Sequence, residues 1–198
     1  YTLSLHDALP ISLGAVIGKV LRSVPTTGVA NTGNTGGGAV SSVTGGTKTK
    51  LGSYRIKCLS YVASPLAATF EVRDPNGNLL PDAALGAYVN DQINFTIANG
   101  SPVISVGDIW TITVIAGSGK VKAIDFTAVD GTEEAYGILA AAYNASTAEK
   151  SGVAIVREAH IIAANLVWPS TSPAISSDQK AAALAVLYAK GIVQRTEV

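Results

Sequence analysis

Apolar and polar positions alternate through the middle of the chain. In the first run Tyr54, Ile56 and Cys58 fall on one face and Arg55, Lys57 and Leu59 on the other, the period-two pattern of a half-buried strand. Thr69-Phe-Glu-Val-Arg73 leads into Asp74-Pro-Asn-Gly77, where proline suits the second turn position and Asn and Gly tolerate positive φ. Gln92–Ile97 puts Ile93, Phe95 and Ile97 on one face, Asn99-Gly100 supplies a turn, and Ile109–Ile115 alternates again. These segments predict a small antiparallel all-β module of about 65 residues, a sandwich or barrel.

The flanks read differently. Leu13–Val20 is a short β-branched run punctuated by glycine, a strand with a bulge or close backbone contact. Val121–Phe126 predicts a strand, Asp130-Gly131 a turn, Gly137–Tyr143 a buried strand or short helix, and Val153–Arg157 a further strand closed by Val167-Trp168-Pro169. A helix is expected from Ser176, where Ser-Ser-Asp-Gln179 fits a capping box. It would carry Leu184, Leu187 and Tyr188 on one face, end at Gly191 and give way to a terminal strand from Ile192 to Arg195. Between the two patterns, residues 25–50 hold Asn31–Gly38 and Thr44–Thr47, a Gly/Thr-rich stretch read as a linker or long loop. Gly119-Lys-Val121 repeats Gly18-Lys-Val20, as though the β-module interrupted a hairpin, and glycine-rich flanks ease such an insertion. The expected organisation is a split domain of residues 13–24 and 119–198, a linker at 25–50 and an inserted domain at 51–118.

Composition narrows the function classes. The 198 residues are 47% hydrophobic and 14% charged, with 14 basic and 14 acidic side chains, which argues against a disordered acidic tail and against phosphate-backbone binding. No apolar run approaches the roughly 18 residues of a membrane-spanning helix. One cysteine, Cys58, and two histidines, His6 and His160, are too few for an internal disulfide or an all Cys/His zinc site. The chain starts at Tyr1 and contains no methionine, which reads as a fragment. Residues 1–12 lack the basic start of a secretory signal and resemble translated sequencing-adapter DNA, so they are expected to be a non-native leader outside the fold.

Candidate chemistry is sparse. The Gly-rich run lacks the Gly-Lys-Ser/Thr ending of a P-loop. Outside the leader His160 is the one histidine base, and it is expected at a strand edge or loop. Glu133-Glu134 and Asp125 with Asp130 surround the Asp-Gly turn, where solvated acids are expected. Asp74-Pro-Asn-Gly-Asn78 imitates a calcium loop but has Leu79 and Leu85 where glycine and glutamate are needed. Asn94-Phe-Thr96 and Asn144-Ala-Ser146 match the glycosylation pattern, which is uninformative without a secretion signal. Cys58 shares a face with Tyr54 and Ile56 and is expected to be a buried apolar thiol. Trp110 and Trp168 suit either core packing or ligand stacking. Neither an enzyme nor a cofactor is expected.

An ordered set of segments resembles the head decoration protein family of tailed bacteriophages, the lambda type. It comprises Asp130-Gly-Thr132, Gly137-Ile-Leu-Ala140, the strand ending in Arg157-Glu158, Leu166-Val-Trp-Pro169 and the helix closing with Gly191-Ile-Val193. Leu13–Val20 is similar to the family's early strand, with Gly119–Asp125 as the segment that follows it. The resemblance implies an α+β fold, a small mixed-β decoration domain with a C-terminal helix, here interrupted by an Ig-like β-sandwich. Asp130, Gly131, Gly137, Ile138, Leu139, Trp168, Pro169 and Gly191 are its structural motif positions. It implies a homotrimer on the outer surface of the expanded capsid, bound to the major capsid protein and stabilising the shell against packaged DNA. No direct nucleic-acid or membrane partner is implied. Family members use an N-terminal arm on the shell, and a foreign leader here would replace it. The inserted domain resembles β-sandwiches of other phage surface proteins, and Tyr61, Tyr88 and Trp110 suggest weak adhesion to host surface glycans. A free-standing adhesion or carbohydrate-binding module is the alternative reading.

Overall fold

The computed structural model describes residues 2–5, 11–144, 149–170 and 174–195. His6, Asp7 and the Ala145-Ser146 half of one glycosylation pattern lie outside the described residues. The strands are β1 (Thr2–Leu5), β2 (Val16–Lys19), β3 (Val29–Ala30), β4 (Ala39–Gly45), β5 (Gly52–Ala63), β6 (Leu66–Arg73), β7 (Ala83–Ala84), β8 (Gly86–Tyr88), β9 (Ile93–Ala98) and β10 (Ile109–Val114). They continue with β11 (Val121–Ala123), β12 (Gly137–Leu139), β13 (Lys150–Ile155) and β14 (Ala159–Ile161), then helix α1 (Ser177–Ala189) and β15 (Ile192–Gln194). The chain divides into two compact units: unit 1 is Tyr1–Leu21 with Gly117–Val198, and unit 2 is Arg22–Ala116.

Unit 1 is built on a closed barrel in the order β1-β11-β2-β12-β13. Alternation along β2 and β12 sends Ile17 and Leu139 into one buried cluster with Ile11, Ala15, Val121 and Ala154. Val16 and Ile138 go into a second with Ile124, Ala183, Leu187 and Ile192. Strands buried on both faces read as continuous apolar runs, which is why this region shows little period-two patterning. The parallel pair β14–β15 and helix α1 complete the unit. Helix α1 begins as expected: the Ser176 hydroxyl accepts from the Gln179 N–H and the Gln179 side chain accepts from the Ser176 N–H. Of its expected apolar face Leu187 is buried and Leu184 packs against the same cluster, while Ala183, four residues before Leu187, takes the other buried position. Tyr188 is 67% exposed.

Residues 2–5 do not stand outside the fold. Strand β1 runs antiparallel to β13, with Thr2 opposite Val153, and meets β11 in parallel at Leu5–Val121. Ile11 is buried and bridges Tyr143. The barrel offers two strand edges whose N–H and C=O groups need partners, and an extended segment satisfies both.

Unit 2 contains a five-stranded antiparallel sheet, β3-β10-β5-β6-β7, and a three-stranded one, β4-β9-β8. Both feed one core. Tyr54, Ile56 and Cys58 of β5, Phe70 and Val72 of β6, Trp110 and Ile112 of β10, and Ile93, Phe95 and Ile97 of β9 meet there, on the faces that the alternation predicts. The Asp74–Gly77 turn forms with Gly77 at φ +82°.

The linker expectation for residues 25–50 is corrected. Val29-Ala30 pairs with β10 and Ala39–Gly45 with β9. The glycine-rich segment between them is held against the sheet. Asn34 Nδ2 donates to the Ile109 carbonyl and Asn34 Oδ1 accepts from the Ile109 N–H, both at 2.8 Å. Asp108, 3% exposed, accepts from the N–H groups of Thr35 (2.9 Å), Gly36 (3.1 Å) and Ser105 (2.8 Å). A Cβ on Gly36 would lie 2.4 Å from Asp108 Oδ2, and one on Gly100 would lie 1.7 Å from the Gly37 carbonyl oxygen. These glycines permit close backbone approach; they do not supply a flexible tether.

Candidate functional site

The family-like positions gather in unit 1. Asp130 sits in the loop that closes over the β2–β11 pair. Its Oδ1 accepts from the Thr132 N–H (3.0 Å) and hydroxyl (2.6 Å), Lys122 Nζ donates to Oδ2 at 3.2 Å, and its carbonyl accepts from the Leu21 N–H at 2.8 Å. Burial opposes ionisation of Asp130, but the Thr132 donors and the Lys122 ammonium outweigh it and hold the carboxyl below its ordinary range. Gly131 has φ +110°, and a Cβ there would lie 2.7 Å from the Lys19 carbonyl oxygen. Asp130, Gly131 and Thr132 are thus a clamp on β2.

Gly137, Ile138 and Leu139 form β12 between β2 and β13, and a Cβ on Gly137 would lie 2.5 Å from the Ile155 carbonyl oxygen. Trp168 and Pro169 are half-buried, with Trp168 packed on the cluster containing Ala183 and Leu187 and the Lys180 ammonium 5.9 Å from its ring centroid. Gly191, at φ +79°, ends α1 and returns the chain beside Glu158.

The candidate catalytic groups are engaged locally or set apart. Asp125 Oδ1 accepts from the Thr127 N–H and hydroxyl, and Glu133 Oε2 accepts from the Gly131 N–H at 2.7 Å. These acids cap turns, a role beyond the solvated one expected of them. His160 is exposed on β14. Among the described residues no three His, Cys, Asp or Glu side chains are placed to hold a metal ion, and no helix is long and apolar enough to cross a membrane. Burial, followed by the charge of Asp108, pushes the Cys58 thiol above its ordinary range, as suits an inert core residue.

Two of the three aromatics considered for adhesion are unavailable as stacking platforms. Trp110 is 1% exposed, donates to the Gly38 carbonyl and meets Phe70 edge-on; Tyr88 is buried, stacks on Phe95 and donates to the Pro81 carbonyl. Tyr61 is half-buried and accepts from Asn99 Nδ2.

One open cleft lies among residues that the sequence patterns did not bring together: Tyr136, Val156, Arg157, Glu158, Ala189 and Lys190. Lys190 Nζ donates to the carbonyls of Ala135 (2.5 Å) and Tyr136 (3.3 Å) and lies 5.4 Å from the Tyr136 ring centroid, with Lys19 Nζ at 5.1 Å. Burial lowers the Lys190 ammonium below its ordinary range, partly opposed by Glu134. Only the helix ending at Gly191 and the Arg157-Glu158 pair were visible in the sequence, as separate signals.

The family model of the bacteriophage lambda head decoration protein D matches residues 4–192, nearly the whole chain. The chain belongs to that family. As a head decoration protein it is a structural component of the phage head, placed at the virion capsid surface. No curated protein matches it in sequence. Two crystal structures of Xanthomonas campestris FlgL are similar at 20% identity and TM-score 0.37, covering 59% and 57% of this chain and 36% and 35% of theirs. The head decoration chain therefore spans about a third of the FlgL chains, and a likeness at that score supports no structural inference.

Proposed function

We propose that this head decoration protein binds the outer surface of the expanded capsid through unit 1, as a homotrimer that contacts the major capsid protein and stabilises the shell against packaged DNA. The observation that carries this reading is the family match over residues 4–192. Symmetric assembly would repeat each capsid contact in every subunit, so contacts that are weak singly combine into durable attachment.

Unit 2 is read as an inserted Ig-like β-sandwich. Two antiparallel sheets share its core, and its ends lie side by side, Arg22 bridging Ala116 and the Ser23 N–H donating to the Ile115 carbonyl at 3.0 Å. Adjacent ends let a hairpin accept a domain without separating its strands. The burial of Trp110 and Tyr88 favours a passive carried domain over glycan adhesion by aromatic stacking.

Co-sedimentation with empty expanded capsids, with native mass measurement of the free protein, tests the proposal. A species of about 60 kDa, three 20.1 kDa chains, that pellets with capsids is the expected result. A monomer that stays in the supernatant overturns it.

A further inference from the structure

The cleft at the end of α1 has fixed walls. The Glu158 N–H donates to the Lys190 carbonyl and the Ala159 N–H to the Gly191 carbonyl, both at 3.1 Å, so the β13–β14 corner is tied to the helix end. Glu158 is held there at φ +51°, a conformation disfavoured for a residue with a Cβ. Such outliers persist where the surroundings over-determine them, and they cluster at binding sites.

The charges in and beside the cleft are uneven. Arg157, Lys190 and the neighbouring Lys19 supply three cations, against the carboxylates of Glu158 and Glu134. The exposed Arg157 guanidinium has no ion-pair or hydrogen-bond partner among the described residues. Lys190 uses two of its three ammonium donors on the Ala135 and Tyr136 carbonyls, which fixes the charge in place and leaves one N–H. Val156, Ala189 and the Tyr136 ring provide an apolar wall beside these donors.

We infer that this cleft docks an acidic peptide segment of the capsid shell, one carboxylate taken by Arg157 and Lys190 and an adjacent apolar side chain laid on Tyr136 and Val156. The guanidinium fork matches a carboxylate bidentately, and the ammonium adds a point charge. Glu158 repels a second acid, so the site selects an isolated carboxylate over a run of them. The inference deepens the capsid-binding reading above and rests on it.

The test compares the unaltered full chain with R157E, E158Q and the control R55E, which reverses an exposed charge on β5 of unit 2, in capsid co-sedimentation at low and at raised salt. Circular dichroism first shows that each variant keeps its fold; Arg157 makes no described bond that the fold would lose. The expected result is about tenfold weaker sedimentation for R157E, with R55E unchanged, E158Q as tight or tighter, and the Arg157-dependent part fading with salt. Equal sedimentation of R157E and the unaltered chain overturns the inference and leaves capsid binding standing. Equal weakening of R157E and R55E overturns it as well, since only overall charge would then matter. An unaltered chain that never sediments overturns both readings.

Discussion

Asp108→Ala tests whether the glycine-rich segment of unit 2 is structure or tether. The Asp108 carboxylate accepts three backbone N–H bonds, from Thr35, Gly36 and Ser105, at 2.8–3.1 Å in a site that leaves the residue 3% exposed. A charge-assisted bond of this kind contributes about 1.5–3 kcal/mol, and truncation also strands donors away from water. Thr35 is exposed and Ser105 partly so, and solvent recovers some of their hydrogen bonding; a total loss of about 3–5 kcal/mol follows for unit 2. For a domain near 100 residues this lowers the unfolding midpoint by more than about 10 °C. Asp108→Asn keeps one acceptor oxygen and should lose roughly half as much.

Denaturant unfolding is followed through Trp110, whose indole donates to the Gly38 carbonyl at 3.1 Å, in a Trp168→Phe background that removes the second tryptophan. Loosening of the Asn31–Gly38 segment should shift Trp110 emission to the red before the main transition. A change of less than about 0.5 kcal/mol with unaltered emission, the usual range for surface substitutions, would refute the assignment and restore the tether reading.

Glycine positions provide a second check: Gly100→Ala, whose Cβ would lie 1.7 Å from the Gly37 carbonyl oxygen, should prevent unit 2 from folding or cost several kcal/mol. Gly77→Ala, with open space but φ +82°, should cost only about 1 kcal/mol in the same unfolding measurement. Acid unfolding should report Asp74. Burial opposes its charge, yet Lys50 at 2.5 Å, the Asn78 side chain and N–H, and the Asn76 N–H hold its carboxyl far below the ordinary value. A depressed folded pKa stabilises above the unfolded value of about 4 and is lost as pH falls below it, so stability should decline from about pH 4 downward. Asp74→Asn should flatten that slope, and an unchanged acid limb would refute the role. Replacing residues 22–116 with a two-residue Asn-Gly turn should leave unit 1 folded with its helical signal intact, because the Gly117 N–H donates to the Leu21 carbonyl at 2.9 Å and the Gly119 N–H to the Val20 carbonyl at 3.0 Å. Loss of the helix signal in circular dichroism would show that unit 1 depends on unit 2.

The sequence by itself determined the elements whose cause is local. Period-two alternation put Tyr54, Ile56 and Cys58, and Ile93, Phe95 and Ile97, on the faces that are buried, because a pleated strand offers only two sides. Ser176 and Gln179 announced the start of α1, and Gly191 its end, through bonds made within a few residues. The ordered motifs from Asp130 to Gly191 also carried the family resemblance without any contact map.

Tertiary structure decided what depends on groups distant along the chain. Asn31–Gly38 looks like a tether until Asp108 and Gly100, more than sixty residues later in sequence, are brought against it. Val16 and Ile17 form one apolar run in sequence, and only the closed barrel, with the helix packed on unit 1's second cluster, assigns them to different cores. The charged cleft has the same origin. Tyr136, Arg157 and Lys190 come from three separate segments, and the bonds between residues 158–159 and 190–191 make them neighbours. Periodicity records which side of an element faces inward; what it faces is fixed by chain pairing and close approach, which no local pattern encodes.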